Sequence, residues 1–156
     1  MPNTYSQIYL HNVWSPKYRE ALIRPNFEIE VYKYITGVVK ELGHLLIRIN
    51  GMPDHIHVLI RLKPHIAPSK LVQLVKQNSS KWINQQGFLN QEFKWQRGGG
   101  IFSVNPSHVD KVIKYIDNQK EHHRQLSFKE EYVKLLGENH IEYDEQYLLD
   151  FFENVY

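Results

Sequence analysis

Two histidines separated by one residue are the first feature of this 156-residue sequence that could do chemistry. His55 and His57 open an apolar-rich run, residues 55–62, which predicts a β-strand. Side chains two residues apart on a strand point to the same face, so both imidazoles could bind one metal ion. With nine histidines in the chain, such a pair often arises by chance. Two histidines that only form hydrogen bonds within a sheet therefore remain an alternative.

A tyrosine and a glutamine four residues apart are the second candidate feature. Tyr115 and Gln119 would be neighbours on a helix surface, and His122 continues their row three residues later. This polar row flanks the apolar stripe of the same predicted helix, which consists of Val109, Val112, Ile113 and Ile116. A tyrosine hydroxyl at this margin could meet the histidines and attack a phosphodiester that a metal polarises. An ordinary amphipathic tyrosine at the edge of a core is the alternative.

Composition limits both the class of protein and the kind of metal site. The chain is long enough for one compact domain, residues 1–156, and its 42% hydrophobic and 23% charged residues are ordinary for a globular protein. It has no cysteine, so imidazole, carboxylate, amide or water must hold any metal, which favours hard divalent ions. The sequence has no basic leader and no apolar stretch of membrane-spanning length. We therefore expect a bacterial cytoplasmic protein without a membrane partner.

Charged residues are distributed unevenly, although the net charge is only +2. Basic residues lie near the start and in a middle segment, whereas acidic residues crowd after residue 130. Lys17, Arg19 and Lys76 are candidates for contacts with DNA phosphates. Trp14 and Tyr18 could stack on unpaired bases. Solvated charges and structural aromatics explain the same pattern equally well.

The order of predicted elements is strand, helix, strand, strand, helix, strand, helix, which is typical of a ferredoxin-like (RRM-like) α+β fold with an antiparallel sheet. The predicted strands are residues 5–14, 44–50, 55–62 and 101–104, and the predicted helices begin near Pro25, Pro68, Asn105 and Phe128. Alternation along the third strand places Ile56, Val58 and Ile60 on the face opposite the histidines. We expect two helices to cover that apolar face and the helix of Tyr115 to pack against the histidine face.

Three segments carry a resemblance to a known family. They are GMPDHIHVLI, then FKWQRGGGIFSV some fifty residues later, then YIDNQKEHH. Together they resemble the small single-tyrosine HUH transposases of bacterial insertion sequences, the IS200-like superfamily that includes REP-associated tyrosine transposases. The resemblance begins at TYSQIYLHNVW and covers nearly the whole chain.

The resemblance implies an activity and assigns roles. In that family two histidines bind a divalent ion, Mg²⁺ or Mn²⁺, and a helix tyrosine attacks single-stranded DNA to form a 5′-phosphotyrosine. By resemblance the metal ligands are His55, His57 and Gln119, and the nucleophile is Tyr115. The substrate would be a hairpin at an element end, nicked and rejoined during transposition. No nucleotide cofactor is expected, because the GGG run lacks the GK[ST] that follows a phosphate-binding loop.

Alternatives to a mobile-element transposase remain at this stage. One is a domesticated relative that processes chromosomal hairpins without mobilising itself, and another is a ferredoxin-like RNA-binding module with an incidental histidine pair. The resemblance also implies a homodimer, in which each tyrosine helix could complete the other subunit's site. Metal dependence and a covalent protein-DNA adduct would exclude the RNA-binding module.

Overall fold

Four antiparallel strands form one sheet in a computed structural model that describes residues 4–144 and Leu148. The strands are β1 (Ile8–Trp14), β2 (Leu45–Met52), β3 (His55–Leu62) and β4 (Gly100–Val104). The helices are α1 (Glu28–Glu41), α2 (Pro68–Gln86), α3 (Val109–Asp117), α4 (Gln119–His122) and α5 (Phe128–Glu138). The sheet order β2-β3-β1-β4, with this element order, confirms the predicted ferredoxin-like α+β fold.

Helices α1 and α2 cover one face of the sheet. Ile56, Val58 and Ile60 are buried in the main core on this face, as the alternation along β3 predicted. Pro68 occupies the first turn of α2, where its missing N–H costs nothing, and Gly87 ends the helix in the left-handed conformation. The larger core therefore holds β3 rigidly from the side away from the histidines.

The other face of the sheet carries a smaller core, to which α5 contributes most residues. Its buried members are Val13, Phe102, Phe128, Tyr132, Leu135, Leu136 and Leu148. The ring of Phe128 stacks on that of His55 with the two centroids 4.0 Å apart. Helix α5 thus covers the histidine face together with α3, a position that the sequence did not predict.

The helix predicted to run through Tyr115, Gln119 and His122 is interrupted. Helix α3 ends at Asp117, and the four-residue α4 starts after Asn118. Asn50 on β2 donates its side-chain amide to the carbonyl oxygen of Ile116 at 2.9 Å. That hydrogen bond satisfies a carbonyl at the end of α3 and holds the helix end against the sheet.

Several further boundaries differ from the prediction by a few residues, and two of them have a clear physical reason. The first strand begins at Ile8 rather than Tyr5, and Tyr5 is 99% exposed, so its side chain has no core to pack against. Asn105 caps a short 3-10 turn (Pro106–His108) by accepting from the backbone N–H of Ser107, instead of capping α3 directly. In the part of the chain that the structure describes, no helix is both long enough and apolar enough to cross a membrane.

Candidate active site

The four residues predicted to form a site come together on the histidine face of the sheet. His55, His57 and Gln119 are fully buried, and Tyr115 is half-buried near the end of α3. The Nε2 atom of His55 lies 3.1 Å from Oε1 of Gln119. The rings of His57 and Tyr115 meet edge to face with centroids 5.7 Å apart. One chain therefore assembles both predicted features in a single cluster.

Gln119 is fully buried at the first residue of α4. The sequence placed it in a polar row at the margin of the apolar stripe, where it could meet the histidines, and in the structure its side chain contacts His55. Its side chain points inward, where its amide nitrogen donates to Oε2 of Glu131 at 2.9 Å. His122, predicted to continue the row, remains partly exposed, and its Nε2 lies 3.6 Å from Glu131 Oε2, beyond hydrogen-bond distance.

A carboxylate from α5 lies at the centre of the cluster. Glu131 is 1% exposed, and its Oε1 lies 3.2 Å from Nε2 of His55 and 3.1 Å from Nε2 of His57. A third histidine, His123, brings its Nε2 to within 3.0 Å of the same oxygen. The hydroxyl of Tyr115 donates a hydrogen bond to the other carboxylate oxygen, Oε2. Glu131 is therefore the common partner of the tyrosine and of three imidazoles.

The sequence analysis assigned no role to Glu131, His123 or His11. Glu131 stands in the acidic run after residue 130, where its neighbour Glu130 is exposed, so the sequence pattern does not distinguish the buried carboxylate from the exposed one. His123 adjoins His122 in the quoted segment YIDNQKEHH, and it lies four residues after Gln119, so helical spacing was the signal that could have found it. The sequence shows that His11 lies in the first predicted strand, but it does not show that this strand brings His11 beside His57.

Each of the three clustered histidines has a partner at the Nδ1 atom. These partners are Asp54 Oδ1 for His55 (2.8 Å), His11 Nε2 for His57 (2.8 Å) and the Leu126 carbonyl oxygen for His123 (2.7 Å). Carboxylate and carbonyl oxygens only accept, so Nδ1 of His55 and of His123 donates. Such outer partners fix the ring orientation and leave Nε2 as the ligand atom in metal-binding histidines.

Burial and charge shift the pKa values of the cluster in opposite directions. Burial tends to lower the pKa of His55, but the carboxylates of Asp54 and Glu131 outweigh it and raise that pKa above its usual value. Burial lowers the pKa of His57, and burial together with the neighbouring His57 lowers that of His11 to about 3. His11 is therefore neutral near pH 7, and its Nε2 can accept a hydrogen bond from Nδ1 of His57.

The two acidic groups of the site are shifted more strongly. Burial would raise the pKa of Glu131, but hydrogen bonds from His123, His55 and His57 hold it far below the usual value for a carboxyl group. Burial raises the pKa of Tyr115, and the negative charge of Glu131 raises it further. The structure thus pairs an ionised carboxylate with a protonated phenol.

The donor set could hold a divalent metal ion. His55, His57, His123 and Glu131 each offer one ligand atom, and these four atoms lie within 4.8 Å of one another. Two ligand atoms at right angles around Mg²⁺, with bonds of about 2.1 Å, lie about 3.0 Å apart. The separations from Glu131 Oε1 to the three Nε2 atoms, 3.0–3.2 Å, match that spacing. Imidazole and carboxylate are ligands that such ions accept, so the group could hold a metal.

Two of the three basic residues predicted to contact DNA, Lys17 and Lys76, lie outside this cluster. Lys17 is exposed, and its Nζ lies 5.2 Å above the ring of Tyr18. Lys76 faces a separate pocket at the edge of β4, where its Nζ donates to the carbonyl oxygen of Gln96 at 3.0 Å. The side chain of Arg19 lies outside the described part of the structure.

Two solved structures share this architecture. One is a candidate transposase from Deinococcus radiodurans R1, with a TM-score of 0.63 and 19% identity, over 76% of this chain and 95% of that chain. The other is a REP-associated tyrosine transposase bound to a REP hairpin, with a TM-score of 0.59 and 13% identity, over 79% of this chain and 73% of that chain. At these identities the likeness supports the fold. Comparison with curated protein sequences found no match.

The fold and the cluster define a ferredoxin-like protein with a histidine-rich candidate metal centre. The family described as Transposase IS200 like matches residues 4–119, about three quarters of the sequence. The chain therefore belongs to the IS200-like transposase family. The match includes His55, His57, Tyr115 and Gln119, whereas His123 and Glu131 follow it.

Proposed function

We propose that this transposase is a metal-dependent enzyme that nicks and rejoins single-stranded DNA, with Tyr115 as the nucleophile. One observation carries the proposal: the Tyr115 hydroxyl donates to the carboxylate that also contacts His55 and His57. A nucleophile and a metal site must be adjacent to act on one phosphodiester, and here they share a partner. Membership of the IS200-like family supports the same assignment.

The residues that would hold the metal are His55 and His57 through Nε2 and Gln119 through Oε1. Glu131 would join them, because its Oε1 lies at ligand spacing from both histidines. A bound Mg²⁺ or Mn²⁺ would supply positive charge that stabilises the charge developing on the attacked phosphate. Gln119 and Glu131 supply the oxygen ligands that these ions prefer, and the chain contains no thiol that would favour softer metals.

The covalent step balances without an external energy source. The Tyr115 oxygen bonds to phosphorus, and the bond from phosphorus to the 3′ oxygen breaks, leaving a 5′-phosphotyrosine. The phenolic proton passes to water while Glu131 orients the hydroxyl by accepting its hydrogen bond, and the departing 3′ oxygen takes up one proton to become a hydroxyl. Attack by another 3′ hydroxyl reverses the step and joins new ends.

A groove beside the tyrosine offers a route for the DNA strand. It has a volume of about 300 Å³ and lies between β4, α3 and α5, with Tyr115 and His11 in its wall. Lys111 and His108 line its outer part, whereas Glu138 is its single acidic lining residue in the described chain. A single strand could reach the Tyr115 hydroxyl through this groove with its phosphates near Lys111.

A hairpin at an element end is the substrate class that we propose. A protein with a similar fold was solved bound to a REP hairpin, and this chain belongs to the IS200-like family. A single-stranded DNA hairpin is therefore the first substrate to test. Within one chain Tyr115 already belongs to the same cluster as His57. The homodimer that the sequence resemblance implies, in which each tyrosine helix could complete the other subunit's site, stays a prediction.

The decisive experiment is to trap the covalent intermediate. The protein is incubated with Mn²⁺ or Mg²⁺ and a panel of labelled single-stranded hairpins, then separated on a denaturing gel. We expect a protein-DNA adduct that requires the metal and disappears with a chelator. A protein that binds hairpins but forms no adduct with any metal would instead be a nucleic-acid-binding module.

A further inference from the structure

A second pocket, separate from the tyrosine cluster, lies at the edge of the sheet. It has a volume of about 390 Å³ and is bounded by the end of β1, the start of β4 and one side of α2. Strand β4 is an edge strand, so this side of the pocket is not closed by a further strand. The proposed reaction at Tyr115 uses none of the residues that line it.

Two indole rings form the apolar part of the pocket. Trp14 and Trp95 both line it, and their rings meet edge to face at 87° with centroids 5.9 Å apart. Trp95 is held in place because its indole nitrogen donates to Oγ of Ser79 at 2.8 Å. Trp14 is 1% exposed, and its indole N–H has no hydrogen-bond partner among the described residues. A buried donor without a partner is costly, which favours a ligand that supplies an acceptor.

The charge of the pocket is positive. Lys76 and Arg97 line it, and none of its lining residues in the described chain is acidic. The Lys76 ammonium lies 5.8 Å above the ring of Trp14 and donates to the carbonyl oxygen of Gly98 at 2.6 Å. Burial lowers the pKa of Lys76 to about 8, so the group remains mostly protonated at neutral pH. The ligand should therefore combine an aromatic face with negative charge.

Two glutamine side chains in the pocket can form hydrogen bonds with the edge of a base. Gln73 and Gln77 line the pocket from α2, and both are exposed. A glutamine amide both donates and accepts, and this is the pairing that proteins use on the edges of nucleobases. Stacking surfaces, cations and amides in one pocket are the combination found where proteins bind unpaired bases.

The pocket is close enough to the tyrosine cluster to hold part of the same strand. His57 pairs with Val13 across the sheet, and Val13 pairs with Gly100, so the three residues form one row. Two strand spacings place the Cα atom of Gly100 about 10 Å from that of His57. Trp14 and α2 lie on the face of the sheet opposite the histidines, so a DNA strand that reaches both sites must pass around the edge strand β4. The groove beside Tyr115 lies against the same edge strand, β4. Gly98, Gly99 and Gly100, at and just before the start of β4, carry no side chain that would obstruct a DNA strand crossing this edge.

We propose that the pocket between Trp14, Trp95 and Lys76 binds one unpaired nucleobase of the DNA strand that Tyr115 cuts. The base lies against the half-buried ring of Trp95 with Trp14 behind it, the amides of α2 meet its edge, and Lys76 with Arg97 neutralises the adjacent phosphates. This inference rests on the proposed function for the identity of the ligand. Its site and residues are independent of the metal and of Tyr115.

Photocrosslinking tests the pocket without requiring cleavage. The Tyr115→Phe protein is bound to single-stranded hairpins in which one base at a time is replaced by iodouracil, irradiated and digested. We expect one or two adjacent positions to crosslink to the peptides that contain Trp14 or Trp95. Efficient crosslinks that map only to other peptides would overturn the proposal.

Affinity measurements with a matched control provide a second test, on exposed residues whose substitution should not affect folding. We expect Gln73→Ala combined with Arg97→Ala to weaken hairpin binding about ten-fold at fixed salt. Lys81→Ala removes an exposed cation of the same helix outside the pocket and should change affinity less than about two-fold. Equal losses in the two proteins would overturn the base pocket, because they would indicate only general charge attraction.

The two proposals can fail separately. A metal-dependent adduct in the wild type together with crosslinks outside the pocket would refute the pocket and leave the enzyme assignment standing. Crosslinks inside the pocket without any adduct would refute the nicking mechanism and support the pocket as a nucleic-acid site.

Discussion

The Tyr115 hydroxyl donates a hydrogen bond to Glu131, which lies sixteen residues further along the chain on α5. The other oxygen of that carboxylate contacts Nε2 of His55 and of His57. Helix α5 therefore connects the proposed nucleophile to the proposed metal ligands, although it lies beyond the residues that the family match covers. The proposed active site therefore includes α5, the helix that follows the family match.

Replacing Tyr115 with Phe removes the hydroxyl and keeps the ring. We expect the protein to fold and to bind hairpins, with the midpoint of thermal unfolding changed by only a few degrees. The covalent adduct should disappear completely, because no other group of the cluster offers an attacking oxygen of this kind. Denaturing gels with Mn²⁺ and a labelled hairpin measure this directly.

A matched control is Tyr34→Phe, which makes the same chemical change on α1. Tyr34 stacks on Trp82 at 4.5 Å, on the opposite face of the sheet from the cluster. Adduct formation should be unchanged in this protein. An adduct that persists in Tyr115→Phe would mean that a different tyrosine is the nucleophile.

Replacing His57 with Ala removes one proposed ligand and the partner of His11. We expect Mn²⁺ affinity to fall at least ten-fold and nicking to fall with it, since loss of even an outer partner of a metal ligand typically costs ten- to a hundred-fold. Calorimetric titration with Mn²⁺ gives the affinity, and single-turnover nicking gives the rate.

His44→Ala is the control for a general effect of losing a buried histidine. His44 is 5% exposed and accepts from the backbone N–H of Lys63, away from the cluster. It should lose stability but retain Mn²⁺ affinity. Similar Mn²⁺ affinities in His57→Ala and in the wild type would mean that His55 and His57 have only a structural role.

The sequence predicted the fold well because its strands and helices have clear periodicity and clear end signals. Alternation in β3 placed His55 and His57 on one face, and Pro68 marked the start of α2. The site was predicted only in part, since two of its features depend on tertiary contacts. The hydrogen bond from Asn50 that holds the end of α3 spans sixty-six positions, and no local pattern contains it. Glu131 likewise differs from exposed Glu130 only in the face of α5 that it occupies.

Replacing Glu131 with Gln should alter how stability depends on pH. The folded protein holds the pKa of Glu131 below its unfolded value, so the carboxylate stabilises the fold above about pH 4.3. As the pH falls below this value, the carboxyl group takes up a proton in the unfolded chain but not in the folded protein, so the contribution is progressively lost. For metal-free Glu131→Gln we expect about 1–3 kcal/mol lower stability at pH 7 and a shallower decline between pH 5 and 3.

Urea unfolding at a series of pH values tests this, with Glu130→Gln as the matched control one residue earlier. Glu130 is exposed, and its partner is the capping Ser127. Its curve should follow that of the wild type within about 0.5 kcal/mol. Parallel curves for all three proteins would mean that Glu131 is not ionised within the cluster.

The final prediction concerns Gln119, whose burial changes what substitution should do. On an exposed helix surface, replacement by Ala would cost almost nothing. In this structure the side chain is fully buried between His55 and Glu131, so Gln119→Ala should lower the free energy of unfolding by about 1–3 kcal/mol. Gln119→Glu preserves the size but sets a second carboxylate against Glu131, and like charges that close destabilise the fold when no cation lies between them.

The two variants should therefore respond differently to metal. For Gln119→Glu we expect a lower melting temperature without metal and a larger rise on adding Mn²⁺ than in the wild type, because the ion neutralises the paired carboxylates. Gln119→Ala should show a smaller rise than the wild type, having lost one oxygen ligand. Melting curves with and without Mn²⁺, repeated with Mg²⁺, measure both effects. Identical rises in all three proteins would show that residue 119 does not contact the ion and that the imidazoles and Glu131 hold it alone.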